Sequence, residues 1–241
     1  MILVIDSGNT YTKLGQFNNG KLNKIYQNES IHEIIHTINR LKPDKVVIGS
    51  VNFSTEKLQK GITDIPIFSI DAETPIPFKL NYKTPETLGI DRKAVIAYAW
   101  EQYPNKNILA IDAGTCITYD FIREDGTYLG GGISPGMEIK FKSLHAYTAN
   151  LPEISFEEEA PFIGESTKSS ILSGVVNGTI AEIKGIIERY EEKFNDLTIF
   201  MSGGSAIFFE SKIKHSIFAI PNMVLLGLLS IYEYNNRTRK V

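Results

Sequence analysis

Two carboxylates at the ends of apolar runs are the first residues here that could do chemistry. Asp6 closes residues 2–5 (ILVI) and leads into Ser7, Gly8, Asn9 and Thr10. Asp112 closes residues 108–111 (ILAI) and leads into Ala113, Gly114 and Thr115. Glycine in such a turn lets backbone approach a ligand, and turn N–H groups with hydroxyl or amide side chains can donate to phosphate oxygens. Asp6 could hold Mg²⁺ directly or through water, since hard cations take oxygen ligands. Lys13, further along, supplies positive charge. Taken singly, each turn reads equally as an ordinary Asx-type hairpin; two facing each other would clamp a nucleotide. Asp91 opens a helical stretch, where Asp is a favoured N-cap. The pair Gly203-Gly204 follows a predicted strand and suits close approach of a flat ring or sugar. The run Gly130, Gly131, Gly132 could let two segments cross. Neither GxxxxGK[ST] nor GxGxxG occurs, so Walker-type and Rossmann readings fail.

These residues need strands to carry them, and the strands repeat. Ile2, Leu3, Ile5, Asp6 and Gly8 recur as Ile108, Leu109, Ile111, Asp112 and Gly114, 106 residues on. A second alternating segment follows each copy (11–17 and 117–122). Asn19-Gly20 and Asp125-Gly126 come next, again 106 apart, and fit two-residue hairpin turns. Each half therefore opens strand–turn–strand–turn–strand. The first half continues with a helix over 30–41, a buried strand over 45–50, a helix over 55–60 and a strand over 67–70. An irregular stretch (71–87) and a helix from Asp91 to about Tyr103 follow. The second half reads as helices near 136–144 and over 166–194, a strand at 197–201, a short helix at 205–210, a strand at 216–220 and a helix at 222–235. The expectation is two similar α/β domains, 1–106 and 107–241, with the last helix free to pack back on the first.

Composition narrows the class by exclusion. The chain is 42% hydrophobic and 22% charged with a net charge of −3, which excludes disorder and gives no basic field for nucleic acid. The single cysteine, Cys116, excludes a disulfide framework and reads as a small strand residue. No apolar run approaches the ~20 residues of a membrane helix. The N-terminus enters a strand without a basic leader, as expected of a cytoplasmic protein. His32, His36, His145 and His215 are scattered and predict no metal cluster. The helix over 166–194 carries an apolar stripe that must face core or partner.

Together, the two Asp-x-Gly hairpins and the late Gly-Gly resemble the acetate kinase–sugar kinase–Hsp70–actin superfamily. More narrowly, residues 6–13 (DSGNTYTK), 89–92 (GIDR), 112–115 (DAGT), 131–136 (GGISPG) and 148–152 (TANLP) resemble type III pantothenate kinase in order and spacing. The resemblance implies two duplicated ribonuclease H-like (actin-like ATPase) domains, each a mixed five-stranded sheet flanked by helices. It implies ATP-dependent phosphorylation of pantothenate to 4′-phosphopantothenate, the first step towards coenzyme A. Asp91 matches the catalytic base. Asp6, Ser7, Gly8, Asn9, Thr10, Tyr11, Thr12, Lys13 and Thr115 match the ATP site. Tyr82, Gly89, Ile90, Asp91, Arg92 and Thr167 match the pantothenate site. Asp112 matches the ligand of a monovalent cation, K⁺ or NH₄⁺. A homodimer with substrate near its interface is implied as well. Read without the resemblance, Arg92 is a solvated helix charge, Tyr82 packs a loop and Thr167 caps a helix. A non-catalytic, nucleotide-binding regulatory factor of the same family is the other reading, against which stand the retained Asp6, Asp91 and Asp112.

Overall fold

The structure, a computed structural model, describes residues 1–8, 12–28, 30–50, 55–62 and 64–238. It divides into two compact units. The first comprises Met1–Asn105, Gly126–Leu129 and Asn222–Val241; the second comprises Lys106–Asp125 and Gly130–Pro221.

In the first unit, β1 (Ile2–Ser7), β2 (Thr12–Asn18), β3 (Lys21–Asn28), β4 (Lys45–Ser50) and β5 (Ile67–Ile70) form one sheet in the order β3-β2-β1-β4-β5. The β1–β2–β3 meander is antiparallel, while β4 and β5 run parallel to β1 and β4. The predicted turn at Asn19-Gly20 has φ of 50° and 75°, the left-handed pair that a two-residue hairpin requires. Alternation sorts the faces. Leu3, Ile5, Leu14, Val46 and Ile48 bury one face against Ile34 and Ile38 of α1 (Ile31–Leu41) and Leu58 of α2 (Thr55–Gly61). The opposite face takes α3 (Ile90–Gln102) and α8 (Met223–Thr238), which pack on each other. Glycines permit this: a Cβ on Gly49 would meet Leu228 of α8 and Ile90 of α3, and one on Gly227 of α8 would overlap the Ala94 backbone of α3.

Helix α1 starts with a reciprocal cap. The Ser30 hydroxyl accepts from the Glu33 N–H at 3.3 Å, and the Glu33 carboxylate accepts from the Ser30 N–H at 3.2 Å. Replacing Ser30 by Ala is expected to cost about 1 kcal/mol, the usual worth of a lost N-cap, read as an unchanged slope and a lower midpoint in urea.

In the second unit, β7 (Asn107–Ala113), β8 (Cys116–Ile122), β9 (Thr127–Pro135), β10 (Leu197–Ser202) and β11 (Ile217–Ala219) repeat the first plan in the order β11-β10-β7-β8-β9. The residues that open β9, Thr127 and Tyr128, belong to the first unit, where β6 (Lys79–Leu80) pairs with them and adds a sixth strand where five were expected. Two details depart from strict repetition. Ser7 pairs with Thr12 but Ala113 pairs with Ile117, so the first hairpin tip is one residue longer. Asp125-Gly126 is not the predicted two-residue turn: only Gly126 has positive φ, and an Arg123–Asp125 ion pair of 2.7 Å spans the longer loop.

Ile111, Ala113, Ile117, Tyr119 and Met201 pack one face of this sheet against α4 (Met137–Ala146), α6 (Gly178–Glu191) and α7 (Ala206–Lys212). The helix expected over 166–194 is not uniform. It runs as α5 (Thr167–Leu172), a π-helical turn (Ser173–Asn177) and then α6. By length and composition Thr167–Glu191 could cross a membrane, an outcome not anticipated from its apolar runs. Of its stripe, Ile171, Val175, Val176, Ile183 and Ile187 are instead buried in the core of this unit, and Ile180 and Ile186 pack against that core partly buried.

Candidate active site

The first unit gathers its polar residues where β1 and β4 end. Ile5 faces the α1 core, so alternation puts Asp6 on the opposite face, that of α3 and α8. Asp6 is in register with Lys13 on one side and Gly49 on the other. Since Ile90 seats against Gly49, α3 begins beside the end of β1 on the face that bears Asp6. The Lys13 ammonium donates to the Asn222 side-chain carbonyl at 3.4 Å. Asn222 stands at left-handed φ (66°) immediately before α8. Ser7 and Thr12 are buried neighbours, with the Thr12 hydroxyl 3.4 Å from that of Ser7. Gly8 is described; Asn9, Thr10 and Tyr11 lie outside the described residues.

Asp91 is not the cap of α3. Gly89 is the N-cap, and Asp91 stands exposed in the first turn with Oδ1 accepting the Arg92 N–H at 2.9 Å. That carboxylate folds back over Gly89 so closely that a Cβ there would overlap it. The glycine of the GIDR motif thus leaves room for the carboxylate two residues on. Arg92 is 7% exposed, which overturns its reading as a solvated helix charge. Lys93 is buried too and donates to the Ala72 carbonyl at 3.0 Å; burial pushes its ammonium pKa down against the nearby Asp71 charge. With Asn235 donating to the Pro75 carbonyl at 2.8 Å, this anchors the stretch that leads to Tyr82. Tyr82 is half-buried, its ring centroid 6.0 Å from that of Tyr128.

The second unit converges on its own hairpin. Ile111 and Ala113 face the core, so Asp112 lies on the other face, in register with Thr118 and Ser202. At the tip, the Gly136 N–H donates to the Thr115 carbonyl at 3.0 Å, and a Cβ on Gly136 would lie 2.5 Å from that oxygen. Gly203 has φ of 91° and would press a Cβ 2.5 Å from the Ala113 carbonyl carbon. The Ser205 N–H donates to the Ala113 carbonyl at 3.2 Å. The separate glycine clusters of the sequence therefore meet on one hairpin. Thr167 is exposed as the first residue of α5 and is not its cap; Ser166 is, through a reciprocal bond with Ser169. Cys116 is a half-buried free thiol.

Among the described residues, no three His, Cys, Asp or Glu side chains gather as a metal cage. A cation bound here would rest on one carboxylate, substrate oxygens and water, which is the habit of Mg²⁺ at nucleotide sites. Around Asp112 the same-face neighbours are hydroxyls, Thr118 and Ser202, an all-oxygen set that suits a hard monovalent ion. Sequence reasoning missed Asn222, which the Pro221-Asn222 step before an apolar helix could have flagged.

Comparison with known proteins gives the chain its family. The type III pantothenate kinase of Christiangramia forsetii is 44% identical over 240 residues, 98% of this chain and 99% of its own. A crystal structure from Campylobacter jejuni, assigned to the Baf family of transcriptional activators, superposes with a TM-score of 0.65 at 21% identity, covering 98% of this chain and 99% of that one. A Sinorhizobium meliloti structure of the 2-dehydro-3-deoxygalactonokinase type gives 0.59 at 12%, with coverage of 98% and 99%. At such identities the two structures speak for the fold alone, the actin-like fold of sugar kinases, and lend the regulatory reading nothing. A family model for type III pantothenate kinase matches residues 2–189. The chain belongs to the type III pantothenate kinase family, kinases that phosphorylate pantothenate in coenzyme A biosynthesis.

Proposed function

We propose that this chain transfers the γ-phosphoryl group of ATP to the primary hydroxyl of pantothenate with Asp91 as base. The hydroxyl oxygen forms a bond to the γ-phosphorus, the bond from that phosphorus to the oxygen of the ADP leaving group breaks, and the hydroxyl proton passes to the Asp91 carboxylate. Phosphoryl transfer asks mostly for positioning and charge stabilisation, and the observation that carries this reading is the start of α3. Its exposed Asp91 stands beside the end of β1, on the face that Asp6 and Lys13 share.

Asp6, Ser7, Gly8, Thr12 and Lys13, with Asn9, Thr10 and Tyr11 between them, bind the ATP phosphates. Lys13, held by Asn222, supplies charge. Asp6 holds Mg²⁺, which neutralises charge on the phosphate oxygens. Thr115 contacts ATP as well, and Asp112 holds K⁺ or NH₄⁺. Tyr82, Gly89, Ile90, Arg92 and Thr167 bind pantothenate, with the Arg92 guanidinium suited to its carboxylate. Residues 1–106 and 107–241 are two copies of one duplicated unit, with α8 packed back on the first. The enzyme works in the cytoplasm as a homodimer, and exposed Tyr147, Phe162 and Ile163 are apolar surface that a second copy would cover.

The test mixes protein with ATP, Mg²⁺, pantothenate and either K⁺, NH₄⁺ or Na⁺, and follows phosphopantothenate by mass spectrometry. Product is expected in K⁺ and NH₄⁺, with a lower rate or weaker ATP affinity in Na⁺. No product in any buffer would overturn the activity; equal rates in all three would remove the role given to Asp112.

A further inference from the structure

Behind the Thr115 hairpin lies a polar network that the reaction as described does not use. The Glu182 carboxylate on α6 receives the Lys140 ammonium at 2.6 Å, the Tyr119 hydroxyl at 3.0 Å and the Ser134 hydroxyl. Three elements, α4, β8 and β9, thus converge on one side chain. Lys140 also donates to the Thr179 hydroxyl at 3.0 Å. Thr179 is fully buried and donates to the Val175 carbonyl at 2.7 Å, within the π-helical turn. Burial pushes the Glu182 pKa up, but the Lys140 and Ser134 hydrogen bonds and the Lys140 charge outweigh it and hold the group below the usual carboxylate range. Burial first and the Glu182 charge second push the Tyr119 phenol upward, so it stays a donor.

The network leads to the hairpin. Lys140 sits one turn into α4, and its N–H donates to the Gly136 carbonyl at 3.0 Å. The Gly136 N–H in turn donates to the Thr115 carbonyl at 3.0 Å. Tyr119 is on β8, the strand that leaves Thr115. We infer that Glu182 is a positioning residue for ATP: by fixing Lys140 and Tyr119 it sets where Thr115 meets the nucleotide. Apolar packing does not account for the pair, because Glu182 and Lys140 keep 28% and 22% of their side-chain surface exposed.

This rests on the reading of Thr115 as an ATP contact, so both are tested together. Glu182→Gln keeps the shape and removes the charge; Lys140→Met removes the other end and serves should the first variant fail to fold. Each is expected to raise the KM for ATP roughly tenfold, since small misplacements near a reacting group are costly. The KM for pantothenate should stay within about twofold, and Lys140→Arg should recover most of the loss. An unchanged ATP KM would overturn the inference, as would equal rises in both KM values with a matching fall in Tm, the mark of a merely structural pair. Thr115→Val separates the two ideas. If it too leaves the ATP KM unchanged, the nucleotide reading of the hairpin fails; if it raises that KM while the Glu182 and Lys140 variants do not, only the positioning role fails.

Discussion

Asp91→Asn should lower turnover by at least about 10²-fold, the scale of a lost general base, while ATP affinity stays within about threefold. The geometry makes this a clean substitution. Asparagine keeps the Oδ1 that accepts the Arg92 N–H and clears Gly89 as the carboxylate does, so what is lost is the charge and its capacity to take a proton. Single-turnover kinetics with saturating ATP, alongside calorimetric titration of nucleotide, separates the two effects. Near-normal turnover would leave Asp91 as a first-turn helix carboxylate and send the search for a base elsewhere.

The second large effect is on stability. A Cβ at Gly227 would overlap the backbone of Ala94, and neither helix is free to yield. Leu228 of α8 and Ile90 of α3 are both seated at Gly49. Gly227→Ala is expected to destabilise by about 1–3 kcal/mol, the range for overpacking a filled core. Turnover should also fall, because α3 carries Asp91 at its start. Gly185→Ala is the control of opposite sign. Gly185 lies inside α6 with open space where its Cβ would go, so the change should stabilise by about 0.5–1 kcal/mol through helix propensity. Paired urea titrations check both. A Gly227→Ala protein as stable as the parent would mean that α3 and α8 can part at no cost.

Much of this was legible in the sequence because it was local. Alternation and turn residues located Lys45–Ser50 and Ile67–Ile70 to the residue, and the repeat at Ile2 and Ile108 anticipated two sheets of one plan. Misreadings arose where distant parts meet. Asp91 resembles a cap when only its neighbours are considered, but Gly89 takes that role since the carboxylate folds back upon it. Arg92 looks solvated until α3 is laid on the sheet. The π-helical turn at Ser173–Asn177 leaves no mark in hydrophobic periodicity; it is fixed by side chains that bond the preceding stretch, Ser173 to the Phe162 carbonyl and Asn177 to the Pro161 carbonyl. The pairing of Lys13 with Asn222 spans nearly the whole chain, and no window could contain it.

The place of α8 has a consequence for how the chain matures. Its residues come last among those described, yet they belong to the unit that begins at Met1. They cover the sheet that α3 also covers, and Asn222, just before them, accepts a hydrogen bond from Lys13. During synthesis one face of the first sheet therefore has only α3 to cover it until nearly the entire chain has left the ribosome. The second unit, contiguous but for a four-residue excursion, has its elements in hand sooner. Order of translation and order of completion run in opposite directions, and the half that emerges first is the half exposed longest to chaperones and proteases.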